Sequence, residues 1–78
     1  MYRYNICTEP DEVLFWKQCK TIENSIPGIQ KKDILHDVDG SITQIYEKDG
    51  FNIIVHNSLY VGAVYIDSAV ELTQFFKK

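Results

Sequence analysis

Alternation of apolar and polar residues, the period of a half-buried β-strand, occurs at the start of the chain and again throughout its second half. The segments with this period are 2–7, 34–38, 41–47, 51–56 and 59–66. Asp39-Gly40 and Lys48-Asp49-Gly50 separate three of the later segments, and turn residues of this kind favour tight hairpins. Because such short connections require antiparallel neighbours, we predict that the last four strands form a meander.

A helical period replaces this alternation over residues 9–24. Phe15, Cys19 and Ile22 fall on one narrow stripe at about 100° per residue, so we expect this stripe to face the core. Thr8 followed by Asp11 has the spacing of a capping box and predicts the start of the helix.

Two apolar residues of this helix lie outside the stripe. Val13 falls nearly opposite it and Trp16 lies on its flank. Either the surrounding chain covers both side chains, or they form an apolar patch for a partner.

A second capping box, Ser68 with Glu71, predicts a short helix at the end of the chain. Ala69, Leu72 and Phe76 are expected to face inward in this helix. The predicted order is therefore β-α-β-β-β-β-α. This order indicates an α+β fold, with an antiparallel sheet that includes a four-strand meander and with the helices packed on one face.

Composition limits the chain to one small soluble domain, residues 1–78. Of these 78 residues, 45% are hydrophobic and 24% are charged, which is an ordinary globular balance. The net charge of −3 disfavours binding to nucleic acid or to an anionic membrane, both of which attract clustered lysine and arginine. No apolar segment is long enough for a signal peptide or a membrane span, so Cys7 and Cys19 are expected to be reduced thiols in the cytoplasm.

The string Asp37-Val38-Asp39-Gly40 resembles the start of a calcium-binding loop. Such a loop continues with glycine at its sixth position and glutamate at its twelfth, where this chain has Ile42 and Lys48. We therefore interpret the string as a tight turn and predict neither a metal nor another cofactor.

His36 and His56 are the two side chains whose ordinary pKa lies near neutrality. An enzyme would need both histidines and the nearby acids to converge in one pocket, and no local motif indicates this. We expect a non-enzymatic protein.

Negative charge is concentrated in the predicted meander. Residues 33–71 contain seven acids and one base, Lys48, which gives this segment a net charge of −6. The sequence therefore favours a small cytoplasmic binding protein, an acidic inhibitor or immunity-type module, that docks on a basic protein surface. The residues predicted to bind the partner are the acids and aromatic residues Asp37, Asp39, Glu47, Asp49, Tyr46, Tyr60 and Trp16.

The alternative is a structural domain that self-associates as a homodimer. Its sheet would continue across a two-fold axis, and the apolar run 59–66 would favour this if it lay at the sheet edge.

Overall fold

One helix and one five-stranded antiparallel sheet make up the computed structural model over residues 2–73, the part of the chain that the structure describes. The elements, in chain order, are β1 (Tyr2–Cys7), α1 (Glu12–Ser25), β2 (Gln30–His36), β3 (Ile42–Lys48), β4 (Phe51–Ser58) and β5 (Ala63–Ser68). The strand order in the sheet is β1-β5-β4-β3-β2. The α+β class is confirmed, but the predicted order β-α-β-β-β-β-α with its four-strand meander is not, because the described residues contain one helix and a single five-stranded sheet.

The boundaries of two strands differ from the prediction. The strand predicted over 34–38 is β2, which begins at Gln30 and ends at His36. The strand predicted over 59–66 begins only at Ala63, because β4 continues through Ser58 and residues 59–62 form a turn. The amide of Gly62 donates to the carbonyl of Ser58 (2.9 Å) and closes this turn, with Gly62 at a φ of +78°.

The helix begins at Glu12, later than predicted, and its N-cap is Asp11. The Asp11 carboxylate accepts a hydrogen bond from the backbone amide of Leu14 (3.0 Å), so the predicted capping box at Thr8 is wrong. Pro10 explains the difference, because helical conformation is disfavoured for the residue before a proline, and Thr8 and Glu9 form bends instead of a helical turn. The amide of Asp11 also donates to the Asn57 side chain (3.1 Å), which joins the start of α1 to the end of β4.

The core lies between α1 and one face of the sheet, which we call the inner face. Phe15, Cys19 and Ile22 are all buried, so the predicted helical stripe is confirmed. The apolar side chains of the sheet that pack against this stripe belong to cross-strand pairs, so they lie on the same face of the sheet. The inner-face residues in the core are Ile42, Tyr46, Ile53, Val55 and Ile66.

A buried amide stabilises an irregularity at one sheet edge. The pairing of β2 with β3 shifts between Lys31 and Ile34, which is a β-bulge. The buried Gln44 donates through Nε2 to the carbonyls of Lys32 (3.0 Å) and Asp33 (3.3 Å) within this bulge. Because a buried amide without partners is costly, Gln44 and the bulge stabilise each other.

The predicted second helix does not begin at Ser68. This residue ends β5, and its hydroxyl accepts a hydrogen bond from the amide of Val70 (3.1 Å). Leu72 is buried, as expected, and its amide donates to the hydroxyl of Tyr4 (2.8 Å). Ala69 was also expected to face inward, but it is exposed. Phe76 lies outside the described residues.

Substitution of Phe15 tests the core. Phe15 is 0% exposed, and Phe15→Ala is expected to lower the free energy of unfolding by about 3–5 kcal/mol, since it removes buried contacts and leaves a cavity. Val13→Ala on the same helix is the control, because Val13 is 64% exposed and should change stability little. Equal effects of the two substitutions in urea denaturation would contradict this assignment of the core.

Candidate functional site

Two turns and the start of the helix meet at one end of the sheet. The backbone amide of Leu59 donates to the Ser41 hydroxyl (2.8 Å), which fixes the β4–β5 turn beside the β2–β3 turn. The Asp11–Asn57 hydrogen bond brings the start of α1 to the same end. We call this surface the turn end and define it by residues 8–13, 37–41 and 59–62.

The β2–β3 turn is fixed by its own hydrogen bonds. The amide of Asp37 donates to the carbonyl of Ser41 (2.8 Å), and the amide of Gly40 donates to the carbonyl of Asp37 (3.1 Å). The carboxylate of Asp39 accepts from the amide of Ser41 (2.9 Å), and this bond lowers the pKa of Asp39. Gly40 has a φ of +92°, and a Cβ at this position would lie 2.9 Å from the Leu59 side chain. The turn therefore holds Val38 at its tip in a defined position.

Large apolar side chains project from both turns. Val38 is fully exposed, Tyr60 is 92% exposed, and Leu59 and Val61 are exposed beside them. Turn tips normally contain small polar residues, and single exposed apolar residues are common. Four such residues on two adjoining turns form a patch of the kind that marks an interaction site.

The charge of the turn end is entirely acidic. Its three segments contain no lysine or arginine, and their five acids are Glu9, Asp11, Glu12, Asp37 and Asp39. Several acids elsewhere have basic partners: Glu23 lies 3.6 Å from Lys31, and Asp49 lies 3.7 Å from Lys48. The structure therefore separates an unbalanced acidic end from regions in which the two signs are mixed.

The predicted binding residues do not form one surface. Asp37, Asp39 and Tyr60 belong to the turn end, and the half-exposed Trp16 lies nearby, with its indole donating to Glu12 (3.4 Å). Glu47 and Asp49 lie at the opposite end of β3, about 20 Å away at the usual rise per residue of a strand.

Tyr46 is not on the surface, which corrects the prediction for this residue. It is 0% exposed, and its hydroxyl donates to the Glu23 carboxylate (2.5 Å) and lies 3.4 Å from the Cys19 carbonyl. Burial, together with the hydrogen bond to Glu23, raises the pKa of Tyr46 well above its ordinary value. The reason is register: Tyr46 pairs with Ile53, and both side chains face the helix.

Sequence reasoning missed Val38, Leu59 and Val61. Val38 lies between Asp37 and Asp39 in a turn motif, and an apolar residue at a turn tip could have indicated an exposed binding residue. Leu59 and Val61 gave no such signal. They continue the apolar run of the following strand, so their pattern also fits a longer strand.

A polar and aromatic cluster lies on the sheet face that is turned away from the helix, which we call the outer face. The guanidinium of Arg3 donates to both carboxylate oxygens of Asp67 (2.8 and 3.1 Å) and lies 4.7 Å from the ring centre of Tyr65. His56 stacks on Tyr65 with ring centres 4.5 Å apart, and its Nε2 lies 3.5 Å from Asp67. Tyr65 is only 9% exposed although residues 2–73 form no second layer over this face, so these neighbours shield its ring.

The two histidines lie on opposite faces of the sheet. His36 pairs with the core residue Ile42, whereas His56 pairs with Thr43 and Tyr65 on the outer face. Within residues 2–73 no pocket forms, and no group of three His, Cys, Asp or Glu side chains could hold a metal ion. His36 and His56 therefore do not converge on one face of the sheet.

Comparison with known proteins found no matching family model, no matching curated protein and no matching solved structure. No helix within residues 2–73 has both the length and the apolar character needed to cross a membrane.

The outer-face cluster predicts a decline of stability in mild acid. Burial lowers the pKa of His56 below its ordinary value of 6.5, against the opposing effect of Asp67. Below pH 6.5 the unfolded chain therefore binds a proton that the folded chain does not, and the free energy of unfolding falls until the folded-state pKa is passed. Urea denaturation of the wild type and of His56→Gln should show a smaller decline in the variant between about pH 7 and about pH 5. Identical slopes would contradict this prediction.

A second acid effect is expected at lower pH. The hydrogen bonds from Arg3 lower the pKa of Asp67 below its ordinary value of 3.8. Stability from this pair is present above pH 3.8 and is lost as the pH falls through the folded-state pKa.

Proposed function

We propose that this chain is a small, non-enzymatic binding protein that docks through its turn end on a basic surface of a protein partner. The observation that supports this proposal is the coincidence of five acids, no lysine or arginine, and four exposed apolar side chains on adjoining turns. Acidic inhibitors and immunity-type modules are the class of protein that would act in this way. We place it in the cytoplasm because Cys7 and Cys19 are free thiols, which suit a reducing compartment.

The two components of the turn end have different physical roles. The acids create a field that attracts a positively charged surface over a distance of about one Debye length, which raises the association rate and makes binding sensitive to salt. The apolar side chains lose contact with water only in the complex, so they slow dissociation.

Self-association through a sheet edge is the alternative, and the structure gives it less support. The apolar residues 63–66 belong to β5, which lies between β1 and β4 instead of at an edge. Each edge strand contains a register shift, and β2 also places Lys31 and Lys32 at its edge. Bulges and lysines are devices that oppose edge-to-edge pairing. The exposure of Val13 and Trp16 is the remaining feature in its favour.

Light scattering at increasing concentration separates these two functions. We expect the isolated chain to remain a monomer, because both edge strands are irregular and the acidic turn ends repel each other. A dimer at micromolar concentration would favour the alternative.

Neutralisation of the turn-end acids tests the proposed function. Asp37→Asn/Asp39→Asn removes two charges and retains a side-chain oxygen that can accept from the amide of Ser41. Immobilised wild-type chain should retain a partner from a lysate of the source cell, and this variant should retain much less of it at low salt.

The matched control for this experiment is Glu47→Gln/Asp49→Asn. It removes the same charge at the opposite end of β3, and Asp49 has a φ of +52°, a conformation that asparagine tolerates well. The control should retain the partner as the wild type does. Equal retention by all three chains, or the absence of any retained protein, would contradict the proposed function.

A further inference from the structure

We infer that the turn end inserts into a concave apolar cleft with a basic rim on the partner protein, with Tyr60 and Val38 as the inserted side chains. This inference rests on the proposed function and specifies the shape and chemistry of the partner site.

The shape of the turn end indicates a concave partner. Two turns project side by side beyond the sheet, and the side chains at their tips are the two most exposed large apolar residues of the described chain, Val38 and Tyr60. A flat partner would touch these tips but leave much of their apolar surface in water. A cleft surrounds a projecting side chain and removes its whole surface from water, which is the larger hydrophobic gain.

The turns are already ordered in the free protein, which lowers the entropic cost of insertion. Residues 37–41 are held by hydrogen bonds within the turn and by the contact of Ser41 with Leu59. The β4–β5 turn is held at Val61, whose amide donates to the Ser58 hydroxyl (3.0 Å), and at Gly62. Little backbone freedom therefore remains to be lost on binding. Tyrosine adds a large rigid ring with few rotatable bonds, which is the property of residues that dominate binding energy.

The charges around the tips identify the rim of the partner site. Asp37 and Asp39 flank Val38 in the same turn, and Glu9 and Glu12 lie at the start of the helix at the same end. Acids beside inserted apolar groups complement lysines and arginines at the mouth of a cleft. The same acids would be repelled by an anionic membrane and by a second turn end, so we assign the occupant as a basic-rimmed protein cleft.

The experiment measures the affinity and dissociation rate of the partner that the wild-type chain retains, with four proteins immobilised in turn. These are the wild type, Tyr60→Ser, Val38→Ser and the control Phe51→Ser, which changes an exposed apolar residue at the opposite end of the sheet. Tyr60→Ser should raise the dissociation constant by about 30-fold or more, mainly through faster dissociation. Val38→Ser should raise it by a smaller factor. Phe51→Ser should bind as the wild type does.

Each substituted residue is exposed, so folding is expected to be retained, and thermal denaturation of every variant checks this. Amide hydrogen exchange of the complex gives an independent footprint: residues 37–41 and 59–62 should be protected, whereas residues 48–51 should not. Protection at 48–51 alone would overturn the inference.

The outcomes distinguish this inference from the proposed function. Loss of binding in Asp37→Asn/Asp39→Asn with unchanged binding in Tyr60→Ser would overturn the cleft and leave the acidic docking protein in place. Binding that depends on Tyr60 but not on salt or on the two aspartates would overturn the basic rim and the proposed function together. Dimerisation of the chain that Tyr60→Ser abolishes, or retention on neutral phosphatidylcholine vesicles, would assign the tips to self-association or to lipid and overturn the inference.

Discussion

The packing of a single helix against the inner face of the sheet is the interaction on which the rest of the structure depends. The stripe of Phe15, Cys19 and Ile22 covers the central strands β3, β4 and β5, and the described residues contain no second layer that could replace it. In a chain of 78 residues the buried surface is small, so each contact in this layer contributes a large fraction of the net stability.

One helix cannot cover the whole sheet, and the surface of the protein follows from this constraint. Within the described residues no second layer lies over the outer face, which instead bears the Arg3–Asp67 ion pair and the stacked rings of His56 and Tyr65. The edge strand β2 is exposed along its whole length, and its bulge, stabilised by Gln44, opposes pairing with another chain. The turn end differs from both, because Val38 and Tyr60 at its tips are almost fully exposed in the described structure. This exposure is the reason for proposing partner binding there.

Predictions based on periodicity succeeded wherever one period applied along a segment. The stripe of α1 and the alternating strands β3 and β4 follow from local patterns of burial, which any stable packing of this chain must satisfy. Predictions were wrong where the same sequence pattern is compatible with two local structures. Residues 59–62 are apolar like a strand but form a turn, since Gly62 adopts a positive φ and closes it onto Ser58. The predicted helix start at Thr8 was wrong for a similar reason, because the capping spacing was present but Pro10 disfavours helical conformation at Glu9, and the helix is capped by Asp11.

For the candidate site, too, some features were predictable from the sequence and others were not. Sequence placed Asp37, Asp39 and Tyr60 in or beside turns, and it established the excess of acids over residues 33–71. It could not establish which acids are neighbours, because that depends on strand pairing between residues far apart in the chain. Pairing placed Glu47 and Asp49 at the opposite end of β3, buried Tyr46 beneath the helix, and joined Leu59 to Ser41.

By itself, then, the sequence determined the class of fold, the core stripe of the helix and the amount of unbalanced charge, all of which depend on local period and composition. Only the tertiary structure decided where that charge and the exposed apolar residues meet, because a shift of register by one residue would move every side chain of a strand to the other face.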